Sequence, residues 1–101
     1  MFDETGQYKV SKIFSALGSV TRLRIIELIS ETKRPLHIKA VAKMLKKDYA
    51  AVYRHIKVLE KSGLVGFYEV GRSQVIYLKN ENTIKECVRI AKKRFENVKI
   101  D

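Results

Sequence analysis

Side chains that could contact DNA occur close together between Asp48 and Val65. The first turns of this stretch mix small, aromatic and cationic side chains, without an acid after Asp48. These side chains belong to Tyr49, Ala50, Tyr53, Arg54 and Lys57. Arginine can bind guanine edges, a small apolar side chain can contact the thymine methyl group, and lysine can bind phosphates. The set suits a major groove if one helix face presents it; the alternative is an ordinary amphipathic helix with solvated lysines.

The hydrophobic pattern of the same stretch predicts the helix that would present those side chains. Val52, Ile56 and Leu59 recur at spacings of four and three residues, so a helix places them on one face. Asp48 is suited to cap the first turn with its carboxylate, and Gly63 is suited to end the helix in a left-handed conformation. We therefore predict a helix that packs one face on a core and exposes the other.

A second short helical pattern, HIKAVAKML, precedes this helix. Its apolar residues fall on one side, and Ala42 is small enough to let two helices approach. Only Lys46, Lys47 and Asp48 separate the two patterns. Helices joined by so tight a turn are typical of the helix-turn-helix, which we predict over about residues 37–63.

Two strand-like runs, GFYEV and QVIYL, follow over about residues 64–79. They are rich in β-branched and aromatic residues and are separated by Gly71, Arg72 and Ser73, so they predict a β-hairpin. Leu36 is predicted to pair with this hairpin as a very short strand. Arg72 at the tip could enter a minor groove or bind its phosphates; the alternative is a solvated turn arginine. We take Arg72 and Ser73 as the candidate contacts of the hairpin.

Apolar residues at helical spacing predict three further helices. They cover Tyr8 to Leu17 after a frayed start, Val20 to Ser30, and residues 82–98, the last capped by Asn80 or Asn82. The continuous apolar stripe of the last helix requires a partner, and we expect the first helix and a second copy of the chain to supply it. The interface residues would be Val10, Ile13, Phe14, Leu17, Ile84, Cys87, Val88, Ala91 and Phe95.

Three stretches resemble the ArsR-type winged-helix repressors, in the order that this family has them. They are ALGSVTRLRIIELI from Ala16 to Ile29, YAAVYRHIKVLEKSGLV and EVGRSQVIYL, and the resemblance runs from about Phe14 to Leu78. It implies a winged helix-turn-helix fold, a repressor of transcription, and a first helix that belongs to the dimer interface. It also implies that an arginine near the start of the second helix, such as Arg22, lies close to the DNA backbone. For Arg22 and Arg24 alike, the alternative is an ion pair with Glu27 or Glu31.

The chain departs from the ArsR pattern in the turn of the helix-turn-helix. Lys46 and Lys47 stand where the family usually has glycine and an aliphatic residue. A residue other than glycine with positive φ costs on the order of 1 kcal/mol. Lys47 would then extend its charge to water from a half-buried site.

The residues that would sense a metal in the resembled family are also replaced. His37 and Lys39 stand at the positions of its cysteines, and lysine is a poor ligand for such metals. On the last helix, Glu86 and Cys87 are adjacent and therefore point in different directions. We expect no metal and no cofactor. Cys87, the only cysteine, is expected to be packed and inert, with a redox switch as the alternative.

Composition limits the classes of function further. We expect the 101 residues to form one domain, 1–101, and 21 Lys and Arg against 11 Asp and Glu give a formal net charge of +10. Such a charge favours a polyanionic partner, because each neutralised phosphate releases counterions; a solubilising or heat-adapted surface is the alternative. No apolar run reaches the roughly 20 residues that span a membrane. Without a signal-peptide or catalytic pattern, we expect a cytoplasmic protein that is not an enzyme.

Together these features predict an α+β, mainly helical fold, a winged helix-turn-helix with a two-stranded hairpin and dimerisation helices at both ends. We expect a homodimer that binds an inverted repeat in double-stranded DNA and regulates transcription, as a repressor by resemblance. The residues expected to read bases are Tyr49, Ala50, Tyr53 and Arg54. Those expected to bind the DNA backbone are Lys43, Lys46, Lys47, His55 and Lys57. The alternatives are an architectural DNA-binding protein and a protein-binding subunit of a transcription assembly; no pattern identifies a small-molecule effector.

Overall fold

The structure, a computed structural model, describes residues 1–97, which form five helices and three strands. In chain order the elements are α1 (Glu4–Leu17), α2 (Val20–Thr32), β1 (Leu36–His37), α3 (Ile38–Leu45), α4 (Tyr49–Lys61), β2 (Val65–Val70), β3 (Ser73–Leu78) and α5 (Glu81–Asn97). Helices α3 and α4 are the predicted helix-turn-helix, and β2 and β3 are the predicted hairpin, or wing. The predicted fold class, a winged helix-turn-helix, is confirmed.

The starts of the two terminal helices differ from the prediction. The expected frayed start of α1 is wrong, because Asp3 accepts a hydrogen bond from the Gly6 amide at 2.8 Å and so caps a helix that begins at Glu4. Helix α5 follows Asn80, whose φ of 54° is left-handed and whose side-chain amide donates to the Gly63 carbonyl at 3.1 Å. The Asn80 side chain thus ties α5 to the end of α4. Residue 98 of the predicted helix lies outside the described residues.

The turn between α3 and α4 is closed by a left-handed lysine. Lys46 has a φ of 55°, and the amides of Lys46 and Lys47 donate to the carbonyls of Lys43 and Ala42 at 3.2 and 3.0 Å. This arrangement satisfies the last carbonyls of α3 and normally uses glycine at the left-handed position. The expected half-buried site for Lys47 is wrong, because the chain leaves the helix at Lys46 and the Lys47 side chain is exposed. Asp48 lies at the N-cap of α4 but makes no side-chain capping bond, which corrects that prediction.

We predict that Lys46→Gly raises the free energy of unfolding by roughly 0.5–1 kcal/mol. Glycine removes the cost of a left-handed conformation in the folded chain. It also raises the conformational entropy of the unfolded chain, which offsets part of that gain. Urea denaturation at several temperatures would measure the change. Lys47→Gly is the matched control, since Lys47 is equally exposed but has no positive φ, and it should lower stability. Equal losses in both variants would contradict this account of the turn.

The wing is part of a three-stranded antiparallel sheet with the order β1-β3-β2. Leu36 pairs with Ile76, so the short strand predicted at Leu36 is confirmed, and the sheet has one strand more than the hairpin. Val70 pairs with Ser73, which leaves a two-residue turn in which Gly71 has a φ of 61°. The turn is therefore shorter than predicted, since Ser73 already belongs to β3. A glycine with positive φ first in such a turn matches the twist of the two strands.

The core lies between the helices and one face of the sheet. The predicted stripe of α4 is confirmed, because Val52, Ile56 and Leu59 are fully buried. Gly63, with a φ of 79°, ends α4 as predicted. The other large side chains that are fully buried are Ile25, Ile38, Val41, Leu64, Val65 and Ile76. This packing fixes α4 between α2, α3 and the wing, so its opposite face is held outward. In the described part of the chain, no helix is long and apolar enough to cross a membrane.

Candidate nucleic-acid interface

The outward face of α4 presents Tyr49, Ala50 and Arg54. Ala50 and Arg54 are four residues apart, lie side by side on the helix surface and are both exposed. Within the described residues, Arg54 makes no hydrogen bond or ion pair. Its five N–H donors are therefore free to form the two parallel bonds that a guanine edge accepts.

Tyr53 is placed differently from the other residues expected to read bases. Its ring is half-buried, stacks on Tyr49 with the ring centroids 6.3 Å apart, and lies 6.2 Å from the ring of Phe67 in β2. An aromatic row thus runs from the start of α4 to the wing. Tyr53 supports Tyr49 from beneath and joins the helix to the sheet.

Lys57 continues this contact with the wing. Its ammonium lies 3.1 Å from a carboxylate oxygen of Glu60 and 4.7 Å from the ring centroid of Phe67. The hydrogen bond to Glu60 holds the pKa of Lys57 above its ordinary value, so the side chain stays charged. Because this charge already has a partner in the chain, Lys57 has less to offer a phosphate than a free lysine.

His55 lies on the other side of α4, half-buried against α2. Its Nδ1 atom is 3.1 Å from a terminal nitrogen of Arg22. Arginine can only donate hydrogen bonds, so Nδ1 must accept and the proton of the neutral ring must sit on Nε2. Burial lowers the pKa of His55 below its ordinary value, and the charges of Arg22, Lys47 and Arg54 lower it further. His55 is therefore mostly neutral at pH 7, and only its Nε2–H group is left to donate to a phosphate.

Arg22 is bound inside the chain, and its partners are not the acids expected as the alternative to DNA contact. Its Nε donates to the Ala16 carbonyl at 2.6 Å, and one terminal nitrogen donates to the Ser15 carbonyl at 3.1 Å. The other terminal nitrogen binds His55. The guanidinium thus joins the end of α1 to the middle of α4.

The remaining cations expected at the DNA backbone lie exposed around the reading face. Lys43 lies in the last turn of α3, Lys46 and Lys47 form the turn, and Arg72 stands at the wing tip. Within residues 1–97, none of these four makes an ion pair. By contrast, Lys85 and Arg89 of α5 pair with glutamates at 2.9 and 2.8 Å.

A polar cavity of about 220 Å³ joins the wing to the start of the helix-turn-helix. It is lined by His37, Lys39, Tyr49, Arg72, Ser73 and Gln74. The Oε1 atom of Gln74 is buried and has no hydrogen-bond partner among the described residues. Sequence reasoning considered His37 and Lys39 only as replaced metal ligands and missed this cluster. The predicted pairing of Leu36 with the wing was the available signal, because it brings residue 37 beside β3.

The residues expected at a dimer interface divide into buried and exposed groups. Ile84 is only 3% exposed and belongs to the core of its own chain, which corrects its assignment to an interface. Leu17 and Val88 pack against that core, while Val10, Ile13 and Cys87 are half-buried. Ala91 is exposed, and so are Phe14 (62%) and Phe95 (54%). Tyr8, Val20 and Ile90 are among the exposed apolar residues that were not expected at the interface.

Comparison with known proteins gives relatives with the same fold. The chain is 29% identical over 82 residues to the HTH-type transcriptional regulator MJ1325 of Methanocaldococcus jannaschii. This match covers 81% of this chain and 90% of that protein. The solved homodimeric winged helix-turn-helix DNA-binding domain Mb0332 of Mycobacterium bovis, a possible ArsR-family regulator, matches with a TM-score of 0.78. It is 19% identical, and the match covers 100% of this chain and 96% of that one.

HlyU of Vibrio cholerae N16961 matches with a TM-score of 0.72 at 20% identity, over 87% of this chain and 97% of that one. These solved structures confirm the winged-helix fold that the ArsR resemblance implied. The model of the HVO_A0114 family matches residues 19–84, which include the helix-turn-helix and the wing. Because this match covers well over half of the sequence, the chain belongs to the HVO_A0114 family.

Proposed function

We propose that this chain is a transcriptional regulator that binds a specific double-stranded DNA sequence as a homodimer and acts as a repressor. The observation that carries the proposal is the exposed cationic surface around the outward face of α4, made by Lys43, Lys46, Lys47, Arg54 and Arg72, which form no ion pair within residues 1–97. Cations without an ion pair on a helix-turn-helix can neutralise phosphates, whereas Lys85 and Arg89 of α5 are already paired with glutamates. The names of MJ1325, a transcriptional regulator, and Mb0332, a DNA-binding domain, support the same reading.

In this proposal, α4 enters the major groove, where its side chains contact bases and the lysines beside it contact the phosphate backbone. Arg54 binds a guanine edge, Ala50 contacts a thymine methyl group, and Tyr49 contacts a neighbouring base from its stack on Tyr53. Tyr53 itself acts mainly by holding Tyr49 and the wing in position. Three free lysines of the helix-turn-helix bind phosphates and fix the register of the helix on the duplex. They are Lys43, Lys46 and Lys47.

The wing would contact the backbone beside the major groove. Arg72, His37 and Lys39 line one cavity with the hydroxyl of Ser73, a cluster of donors suited to a phosphate. Lys57 and His55 are assigned a smaller part, because both are held by partners within the chain. The wing thus adds affinity and orientation, while α4 supplies sequence preference.

The uneven burial of α5 supports the proposed homodimer. Ile84 near its start is in the core, whereas Ile90, Ala91 and Phe95 further along the helix are exposed. The exposed apolar side chains in the second half of α5 require a second surface to cover them. The same holds for Phe14 on α1. A second copy that covers these residues would set two reading helices about 34 Å apart over an inverted repeat. Mb0332, which has this fold, is homodimeric.

Selection of bound duplexes from a randomised pool at about physiological salt tests this function. We expect enrichment of an inverted repeat whose half-sites are one helical turn apart. Transcription in vitro from a promoter that overlaps this repeat should then fall as protein is added. Recovery of DNA without an enriched sequence would favour an architectural role, and recovery of no DNA would favour a protein-binding role.

A further inference from the structure

We infer that Arg22 and His55 form a positioning pair that ties the reading helix to the carboxyl end of α1. Through this pair, the orientation of α4 depends on the position of the helix that we assign to the dimer interface. The inference rests on the proposed function, because orientation of α4 matters only if α4 reads DNA. Neither residue would touch a base; both act through Arg54 and its neighbours.

The geometry of Arg22 carries the first step. Its guanidinium uses three nitrogen atoms on three acceptors, at 2.6 Å to Ala16, 3.1 Å to Ser15 and 3.1 Å to His55. The two carbonyls belong to the last turn of α1, where a cation is favoured by the helix dipole, and the Ser15 carbonyl also accepts from the Gly18 amide at 3.2 Å. One planar, rigid group therefore fixes the distance and angle between α1 and α4.

The position of His55 on α4 carries the second step. The apolar contacts of Val52, Ile56 and Leu59 hold α4 against the core, but such contacts are not directional. The hydrogen bond that His55 Nδ1 accepts from Arg22 of α2 limits rotation of α4 about its own axis. Arg54 immediately precedes His55 on the same helix, so the same hydrogen bond limits where the Arg54 side chain points. A small rotation of α4 would misplace the two donors that must meet a guanine edge together.

The protonation state of His55 determines whether the pair can form. The imidazole faces Arg22 from α2, Lys47 from the turn and Arg54 from its own helix, and no acid is among the charges that shift its pKa. Nδ1 accepts only while it carries no proton. In the unfolded chain His55 takes up a proton below about pH 6.5. The pKa of His55 is lower in the folded chain. The neutral ring therefore contributes its full share of the free energy of unfolding above that pH, and this share is lost as the pH falls towards the pKa of folded His55.

The first test compares Arg22→Gln with the matched control Arg24→Gln, since Arg24 is an exposed arginine of the same helix. Affinities for the selected operator and for a random duplex are measured over a range of salt concentrations. We expect Arg22→Gln to lower the ratio of specific to non-specific affinity on the order of tenfold, with the salt dependence unchanged. Arg24→Gln should leave the ratio unchanged. A salt slope that falls by about one phosphate, with the ratio intact, would instead make Arg22 a backbone ligand and overturn the inference.

The second test replaces the acceptor. Asparagine at position 55 offers an oxygen near the place of Nδ1 and does not titrate, whereas leucine offers no acceptor. We expect His55→Asn to keep the affinity ratio and to remove the decline that the unaltered protein shows as the pH falls towards the lowered pKa of folded His55. His55→Leu should lower the ratio of specific to non-specific affinity as Arg22→Gln does. The variant with both Arg22→Gln and His55→Leu should lower it no further than either substitution alone. Additive losses, or equal losses in the asparagine and leucine variants, would overturn the pair.

A measurement on the free protein separates this inference from the proposed function. Nitrogen-15 NMR of the His55 ring at neutral pH should show a proton on Nε2 and none on Nδ1, and Arg22→Gln should raise its pKa. Arg22→Lys, which keeps the charge but loses the planar fork, provides a second variant if the glutamine variant does not fold. A ring protonated on Nδ1, or a titration that Arg22 does not affect, would overturn the pair whatever the protein binds. If the His55 ring shows the expected protonation but the protein has no preference for any DNA sequence, the proposed function is overturned and the hydrogen-bonded pair stands.

Discussion

Arg54→Ala is expected to weaken binding to the selected operator by about 1–3 kcal/mol for each half-site. The side chain is exposed and makes no ion pair within the described residues, so its donors become committed only on DNA. Its loss should relax the preference for guanine at one position of each half-site and leave the other positions unchanged. Competition titrations with operators that carry each base at that position would measure the effect.

The control for this variant is Arg94→Ala, which removes the same charge from the exposed part of α5. Both variants lose one arginine, so they lose similar long-range attraction to DNA, but only Arg54 lies on the outward face of α4. Equal effects from the two substitutions would mean that Arg54 contributes charge alone. An unchanged base preference after Arg54→Ala would show that this residue does not read bases.

Phe95→Asp is expected to convert the proposed homodimer to monomers and to weaken operator binding by roughly 10²- to 10⁴-fold. Phe95 is 54% exposed, and a buried carboxylate at a shared apolar surface has no partner there. Each monomer would still carry a complete reading face, but the second half-site would no longer add to affinity. Sedimentation and binding titrations on full and half operators would measure the two effects.

Phe95→Leu keeps an apolar side chain at the same position and should stay dimeric. Binding of Phe95→Asp to a half operator should equal that of the unaltered protein, because the reading face lies on another part of the chain. A dimer that survives Phe95→Asp, with operator affinity intact, would place the interface elsewhere. A variant that loses helical structure, by contrast, would point to a role of Phe95 in the fold of its own chain.

The sequence predicted the helix-turn-helix and wing because their signals are local. The spacing of Val52, Ile56 and Leu59 is periodic, and Gly63 and Gly71 lie where positive φ is needed. Boundaries were less certain where two weak signals competed. The acids and Gly6 near the start predict a frayed terminus, whereas an aspartate such as Asp3 commonly caps a helix, as it does here.

The candidate site was predicted less completely because its details depend on residues far apart in the chain. Arg22 and His55 are 33 positions apart, and nothing in either local sequence indicates that they meet. The same holds for Tyr53 and Lys57, whose partner Phe67 lies in the wing. Residue type and helix face were therefore enough to select candidates on α4. They were not enough to separate side chains that face solvent from side chains that other elements already hold.

The outward position of Ala50 and Arg54 has a consequence for how this protein could change its target. Both side chains are exposed, and neither belongs to the core cluster, so substitutions there should cost the fold little. The residues that hold α4 in place, Val52, Ile56 and His55, face other elements of the chain. New operator preferences could thus arise, or be selected from a library at two positions, on an unaltered scaffold. Divergence of binding specificity would then require no compensating change in the rest of the chain.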